Sequence, residues 1–238
     1  MDARQPGFVP ASRADSSARL EHLLYTQGVT GSNPVPPMAC VLLLLVLAGC
    51  PAAGPAGIKP DPVKSPVADA PRVPEYEEEP LAAGDVRVTT VRTEHGAFRF
   101  VLLDAVAPNT VKNFVKLART GYYQNLLFHR VIPGTLIQGG DPKGDGTGGP
   151  GYTIKAEFST RPHVPGAVAM ARRPDPDSAG SQWYVCLAAL PELDGKYTVF
   201  GQVFEGLDVC AAVQKGDRML DVTIAHVKRE LVPAEALR

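Results

Sequence analysis

Arg130 stands inside an apolar run, Phe128-His129-Arg130-Val131-Ile132-Pro133-Gly134, and an amide, Gln138, follows in a second apolar stretch that continues as Gly139-Gly140-Asp141. A glycine-rich segment, Gly146-Thr147-Gly148-Gly149, closes the unit. An arginine costs on the order of several kcal/mol to desolvate unless something compensates it. Strand residues alternate faces, so one reading turns Arg130 toward solvent at a sheet edge. The other makes it a positioned hydrogen-bond donor at the floor of an apolar groove.

Other candidate chemistries fail on their context. Residues 144–149 satisfy G-x-G-x-x-G, but Pro150 follows and no helix opens there, as a dinucleotide site would require. Asp141, Asp145 and Gly146 hint at a calcium loop, yet the position that should supply a glutamate is Tyr152. Ser181, in Gly180-Ser181-Gln182, does not sit in a nucleophile elbow. His95, His129, His163 and His226 are scattered singly, and His129 reads as satisfied packing beside Arg130. Trp183 and Tyr184 are adjacent, so one should enter the core and the other a groove. Cys186 and Cys210 read as two buried free thiols, with a disulfide as the alternative in an oxidising compartment.

These residues need a scaffold, and the pattern supplies one from about Asp85. Residues 86–91 and 97–102 alternate apolar and polar across Glu94-His95-Gly96, the pattern of a β-hairpin. Pro108 opens a helix whose Val111, Phe114, Val115 and Ala118 form one stripe, with Gly121 as its stop. Short strands are predicted at 128–132, 135–138, 152–154, 166–171, 182–187, 198–204 and 222–227, with a second helix at 207–214. Roughly eight short strands without a parallel βαβ rhythm predict a mainly β fold, a sandwich or a closed eight-stranded antiparallel barrel capped by two α-helices, and the barrel fits better because each helix can plug an open end.

The first third reads differently. Met38 to Cys50 carries an apolar run too short to span a bilayer but suited to a signal peptide. Its end, Leu47-Ala48-Gly49-Cys50, resembles the bacterial lipobox, in which the cysteine is lipidated. The expected start is Met38, with residues 1–37 an extension; Gly31-Ser32-Asn33-Pro34 resembles a mistranslated transfer-RNA gene. Detection of peptides from residues 4–25 in cells would remove that expectation. Residues 50–84, with prolines at 51, 55, 60, 62, 66, 71, 74 and 80, read as an extended linker. It ends in Glu75-Tyr76-Glu77-Glu78-Glu79, a solvated acidic spacer. The folded domain is expected at 85–230, followed by a tail at 231–238. A formal net charge of -1 argues against a nucleic-acid partner held by bulk electrostatics.

The ordered blocks Phe128–Gly134, Gln138–Asp141, Gly146–Gly149, Ala169-Met170-Ala171-Arg172, Gly180-Ser181-Gln182 and Leu193–Gly201 resemble the cyclophilin-type peptidyl-prolyl isomerases in their bacterial form. The resemblance implies no metal or organic cofactor and catalysis by Arg130, with Leu136, Tyr184 and Leu193 lining a proline pocket. It implies Gln138 and Gln182 as backbone anchors, Ala171 and Arg172 on a strand that pairs with the bound peptide, and Tyr197 at one rim. Thr135 stands where a pocket Phe is common, Tyr184 replaces another Phe, and Glu192 falls where many eukaryotic members have the Trp that contacts cyclosporin. The implied partners are proline-containing segments of folding proteins, and a membrane through lipid at Cys50. The expected protein is a monomer of the bacterial cell envelope that assists folding of exported proteins. A proline-loop-binding chaperone module with weak catalysis is the alternative.

Overall fold

A computed structural model of the chain describes residues 73–77 and 79–237. The expected start at Met38, the apolar run and Cys50 lie outside the described residues. Eight strands form one antiparallel sheet: β1 (Asp85–Thr93), β2 (Gly96–Leu102), β3 (Arg130–Ile132), β4 (Leu136–Gly139), β5 (Ala167–Met170), β6 (Trp183–Cys186), β7 (Val199–Glu205) and β8 (Asp221–Lys228). Their spatial order is β3-β4-β6-β5-β7-β2-β1-β8.

Eight antiparallel strands match the expected fold, one fewer than the nine ranges marked in the sequence, but ladder closure does not match. Among the described residues, the end strands β3 and β8 share no ladder. β3 has only three residues. The chain just before it bonds instead to the chain just before β8, through Asn125 N–H to Met219 O, Met219 N–H to Leu126 O, Phe128 N–H to Asp217 O and Gly216 N–H to Phe128 O.

Period-two alternation sorts the side chains into two apolar layers. On β6, Trp183 and Val185 join a cluster with Phe98, Phe100, Ile137, Val168 and Phe200. Tyr184 and Cys186 join a second cluster with Val88, Val101, Leu136, Ala169 and Val199. Helix α1 (Pro108–Arg119) lays Val111, Phe114, Val115, Leu117 and Ala118 on the first cluster. Phe114 meets Phe100, Tyr123, Trp183 and Phe200 at ring-centre distances of 5.1–6.0 Å. Pro108 suits the first turn, where its missing N–H costs nothing, and Gly121 leaves the helix at φ +72°. Helix α2 (Leu207–Ala212) is shorter than expected and fully buries only Cys210.

Further expectations change. Residues 152–154 form no strand: Ile154 makes a single bridge to Ala179, and Gly151 ahead of it turns at φ +87°. The tail is not loose, because 3-10 turns at Arg229–Leu231 and Ala234–Leu237 bring Val232 and Ala236 into the second cluster. The end of the linker also docks. Val73 and Tyr76 pack on the first cluster, while Glu75, Glu77 and Glu79 stay exposed. Cys186 and Cys210 are free thiols in different clusters, and burial raises the pKa of both.

Candidate active site

Register places the central donor and acceptor face to face. Arg130 on β3 pairs with Gln138 on β4, and Gln138 pairs in turn with Tyr184 on β6. Arg130 is 6% exposed, so the solvent-facing reading fails. Its Nη1 donates to Gln138 Oε1 at 3.0 Å, and Gln138 Nε2 donates to Gln182 Oε1 at 3.0 Å. Gln182 Nε2 donates onward to the carbonyls of Gly146 and Gly148, each at 2.9 Å. The two glutamines therefore act as a relay that fixes the guanidinium. The glycine-rich segment that closes the unit in the sequence is the far end of that relay.

The loop owes its shape to Asp141, a buried carboxylate that accepts from Lys143 N–H at 2.8 Å and Gly146 N–H at 2.5 Å. A Cβ at Gly148 would collide with that carboxylate, so the tight loop needs glycine there.

Arg130 Nη2 is buried and has no hydrogen-bond partner among the described residues. No carboxylate pairs with Arg130 there either. Burial lowers its pKa from the ordinary value, while Tyr197 and Tyr184 act in the opposite sense. The result is a fixed cationic donor with one unsatisfied edge.

Leu136, Tyr184, Leu193 and Tyr197 all belong to the second cluster, so the structure brings the expected pocket residues together. Tyr184 does not open into a groove as expected. Its ring is wholly buried and its hydroxyl has no partner among the described residues. Strand β6 is central in the sheet, and its second face is roofed by the 190–197 segment carrying Leu193 and Tyr197.

Ala171 and Arg172 lie beyond the end of β5 at Met170, so they extend no strand. Ala171 N–H donates to Gln182 O at 3.0 Å. The Arg172 guanidinium donates to Lys196 O, Arg173 O and Pro174 O at 2.9–3.1 Å and lies 4.6 Å from the Tyr197 ring centre.

The expected packing role of His129 is half right. It is buried, but both ring nitrogens lack partners among the described residues, and burial lowers its pKa. His163, read from the sequence as one scattered histidine, belongs to the pocket. Its ring stacks on Tyr184 at 6.1 Å and meets Tyr197 edge-on at 6.5 Å. Its Nδ1 lies 2.8 Å from Asp194 Oδ1, which also accepts the His163 backbone N–H at 2.7 Å. Only the loop's path joins these residues; no local pattern signals the pair. Ser181 is engaged structurally, donating from Oγ to Gly140 O at 2.6 Å.

Fold and site together define a small antiparallel β domain built around a fixed cationic donor beside a buried apolar cluster. Residues 87–229 match the family model for the cyclophilin type peptidyl-prolyl cis-trans isomerase/CLD. The chain is 48% identical over 136 residues to a peptidyl-prolyl cis-trans isomerase of Synechococcus elongatus, covering 56% of this chain and 93% of that protein. It is 44% identical over 147 residues to one from Helicobacter pylori, covering 60% of this chain and 88% of the other. A solved cyclophilin-type isomerase of Cryptosporidium parvum, 29% identical, aligns with a TM-score of 0.55 over 59% of this chain and 98% of that one. The chain belongs to the cyclophilin-type peptidyl-prolyl cis-trans isomerase family, and its activity is rotation about X-Pro peptide bonds.

Proposed function

We propose that the chain is a lipid-anchored isomerase of the bacterial cell envelope, acting on proline-containing segments of exported proteins as they fold. A Cryptosporidium parvum relative, 30% identical with a TM-score of 0.54, was crystallised in the presence of the dipeptide Ala-Pro, which supports a proline-containing peptide as the ligand. The proline ring lies against the rim at Tyr197, over the buried apolar cluster of Leu136, Tyr184 and Leu193. Gln138 and Gln182 anchor the flanking backbone, and Ala171 and Arg172 border the bound chain.

Amide resonance sets a barrier of about 18–20 kcal/mol to rotation. Arg130 Nη2 donates to the prolyl nitrogen and draws its lone pair out of that resonance. No covalent bond breaks, so the step needs neither nucleophile nor general base. Because Gln138 already holds Nη1, the donor is oriented before substrate arrives. The observation that carries this reading is the buried, unsatisfied Nη2.

A charge-assisted hydrogen bond contributes about 1.5–3 kcal/mol, roughly one to two decades of rate. Arg130→Ala in the full chain is therefore expected to lower kcat/KM for an X-Pro peptide by about 10- to 100-fold. A value within twofold of wild type would overturn the donor role. The remaining acceleration comes from a pocket that favours the twisted amide over either ground state.

Leu47-Ala48-Gly49-Cys50 supports the anchor. In a bacterial host, Cys50→Ala is expected to abolish labelling by a radioactive fatty acid and release the protein from membranes. Undiminished labelling of that variant would sink the idea. Closure of the sheet into a barrel belongs to the same proposal, and the backbone bonds between 125–128 and 216–219 support it.

A further inference from the structure

Phe158 is an exposed aromatic, at 43%, on the segment between Ile154 and β5. It is joined to the pocket through Arg172. The guanidinium carbon lies 4.6 Å from the centre of Tyr197 and 5.7 Å from that of Phe158. Arg172 is itself clamped by the carbonyls of Arg173, Pro174 and Lys196.

Phe158 is anchored from its other side as well. Its neighbour Glu157 accepts four hydrogen bonds from Asn109 and Thr110, and Glu157 N–H donates to Thr198 Oγ1 at 2.9 Å. An exposed aromatic on such a backbone is preorganised, so a ligand that covers it meets a small ordering cost.

We propose that Phe158 is a further substrate-binding residue, a platform for an aromatic or large aliphatic side chain of the polypeptide whose proline fills the pocket. The proposal rests on the pocket reading above. The two legs through Arg172 hold the Tyr197 and Phe158 rings within about 10 Å, the reach of about three extended residues at ~3.3 Å each. The side chain that Phe158 selects therefore lies within three residues of the proline. Continuity with the pocket names the occupant: the same chain, already held at Tyr197, passes this ring as it leaves.

The test uses an alanine-rich X-Pro peptide and six variants, each with one Phe at the first, second or third residue on either side of the proline. For each enzyme, kcat/KM is measured by exchange NMR and expressed as the ratio of Phe peptide to parent. Wild type is expected to prefer Phe at one position by about three- to tenfold, chiefly through KM. Phe158→Ala should bring that ratio to within twofold of one, and Phe158→Leu should keep part of it. Because each ratio is taken within one variant, a loss of folded protein cancels. Acceleration of the parent with no positional preference, or a preference that survives Phe158→Ala, overturns the subsite alone. No acceleration of the parent by wild type overturns the pocket reading and the proposal with it.

Discussion

The imidazole of His163 ties the segment around Asp194 to the rings of Tyr184 and Tyr197. Its Nδ1 is tied to Asp194, the residue after Leu193, while its ring packs on Tyr184 and Tyr197. Burial lowers its pKa, against the opposing pull of Asp194, and because the carboxylate can only accept, the bond between them requires the proton on Nδ1. His163→Phe keeps a ring but loses the tie, and is expected to raise KM for an X-Pro peptide by about three- to tenfold while kcat stays within about twofold, a loss the size of one hydrogen bond. Asp194→Asn keeps an acceptor oxygen and should remain near wild type. Unchanged KM in His163→Phe would remove the positioning role. The motif blocks made Arg130, Gln138 and Gln182 legible because those side chains sit in distinctive local sequence. His163 was not legible, since its partner lies 31 positions away and neither residue belongs to a repeating pattern.

Helix α1 shows how a long-range contact replaces a local cap. Its N-cap position, Ala107, offers no side-chain acceptor. The carboxylate of Glu157 takes that place, with Oε1 on Asn109 and Oε2 on Thr110. Burial alone would raise its pKa, but the hydrogen bonds from Thr110 and Asn109 outweigh that and hold it below the ordinary glutamate value. A depressed carboxylate pKa contributes stability that is fully present above the unfolded value and lost as pH falls through the folded one. Glu157→Ala should therefore cost about 0.5–2 kcal/mol at pH 7, a fall in Tm of several degrees. The gap from wild type should shrink as pH drops below about 4. A gap of equal size at pH 7 and pH 3 would argue against the ionic contribution. Elements with strong periodicity, such as α1 and the β1–β2 hairpin, were readable within two residues or so of their ends. The three-residue alternation at 152–154 was too short to distinguish a strand from a bridge.

At the scale of the whole molecule, both ends of the domain are held by contacts that composition concealed. The proline-rich approach looked unable to pack, yet Val73 and Tyr76 reach the first cluster, and Val232 and Ala236 seal the second. Sparse apolar residues in polar, proline-bearing segments give no period to read, so only the folded surface reveals their seats. The sheet was legible in strand number and direction, but its pairing order was not, because register is a long-range property. The join between 125–128 and 216–219 has a consequence for evolution and engineering. It consists of backbone groups, so most substitutions along it leave its bonds in place. Its length is another matter. Arg130 lies two positions beyond Phe128, the last residue held there, and because Phe128 packs on Trp183 while Arg130 meets Gln138, the one residue between them must carry the chain from one face of the sheet to the other. The segment is thus permissive to spelling and strict about spacing.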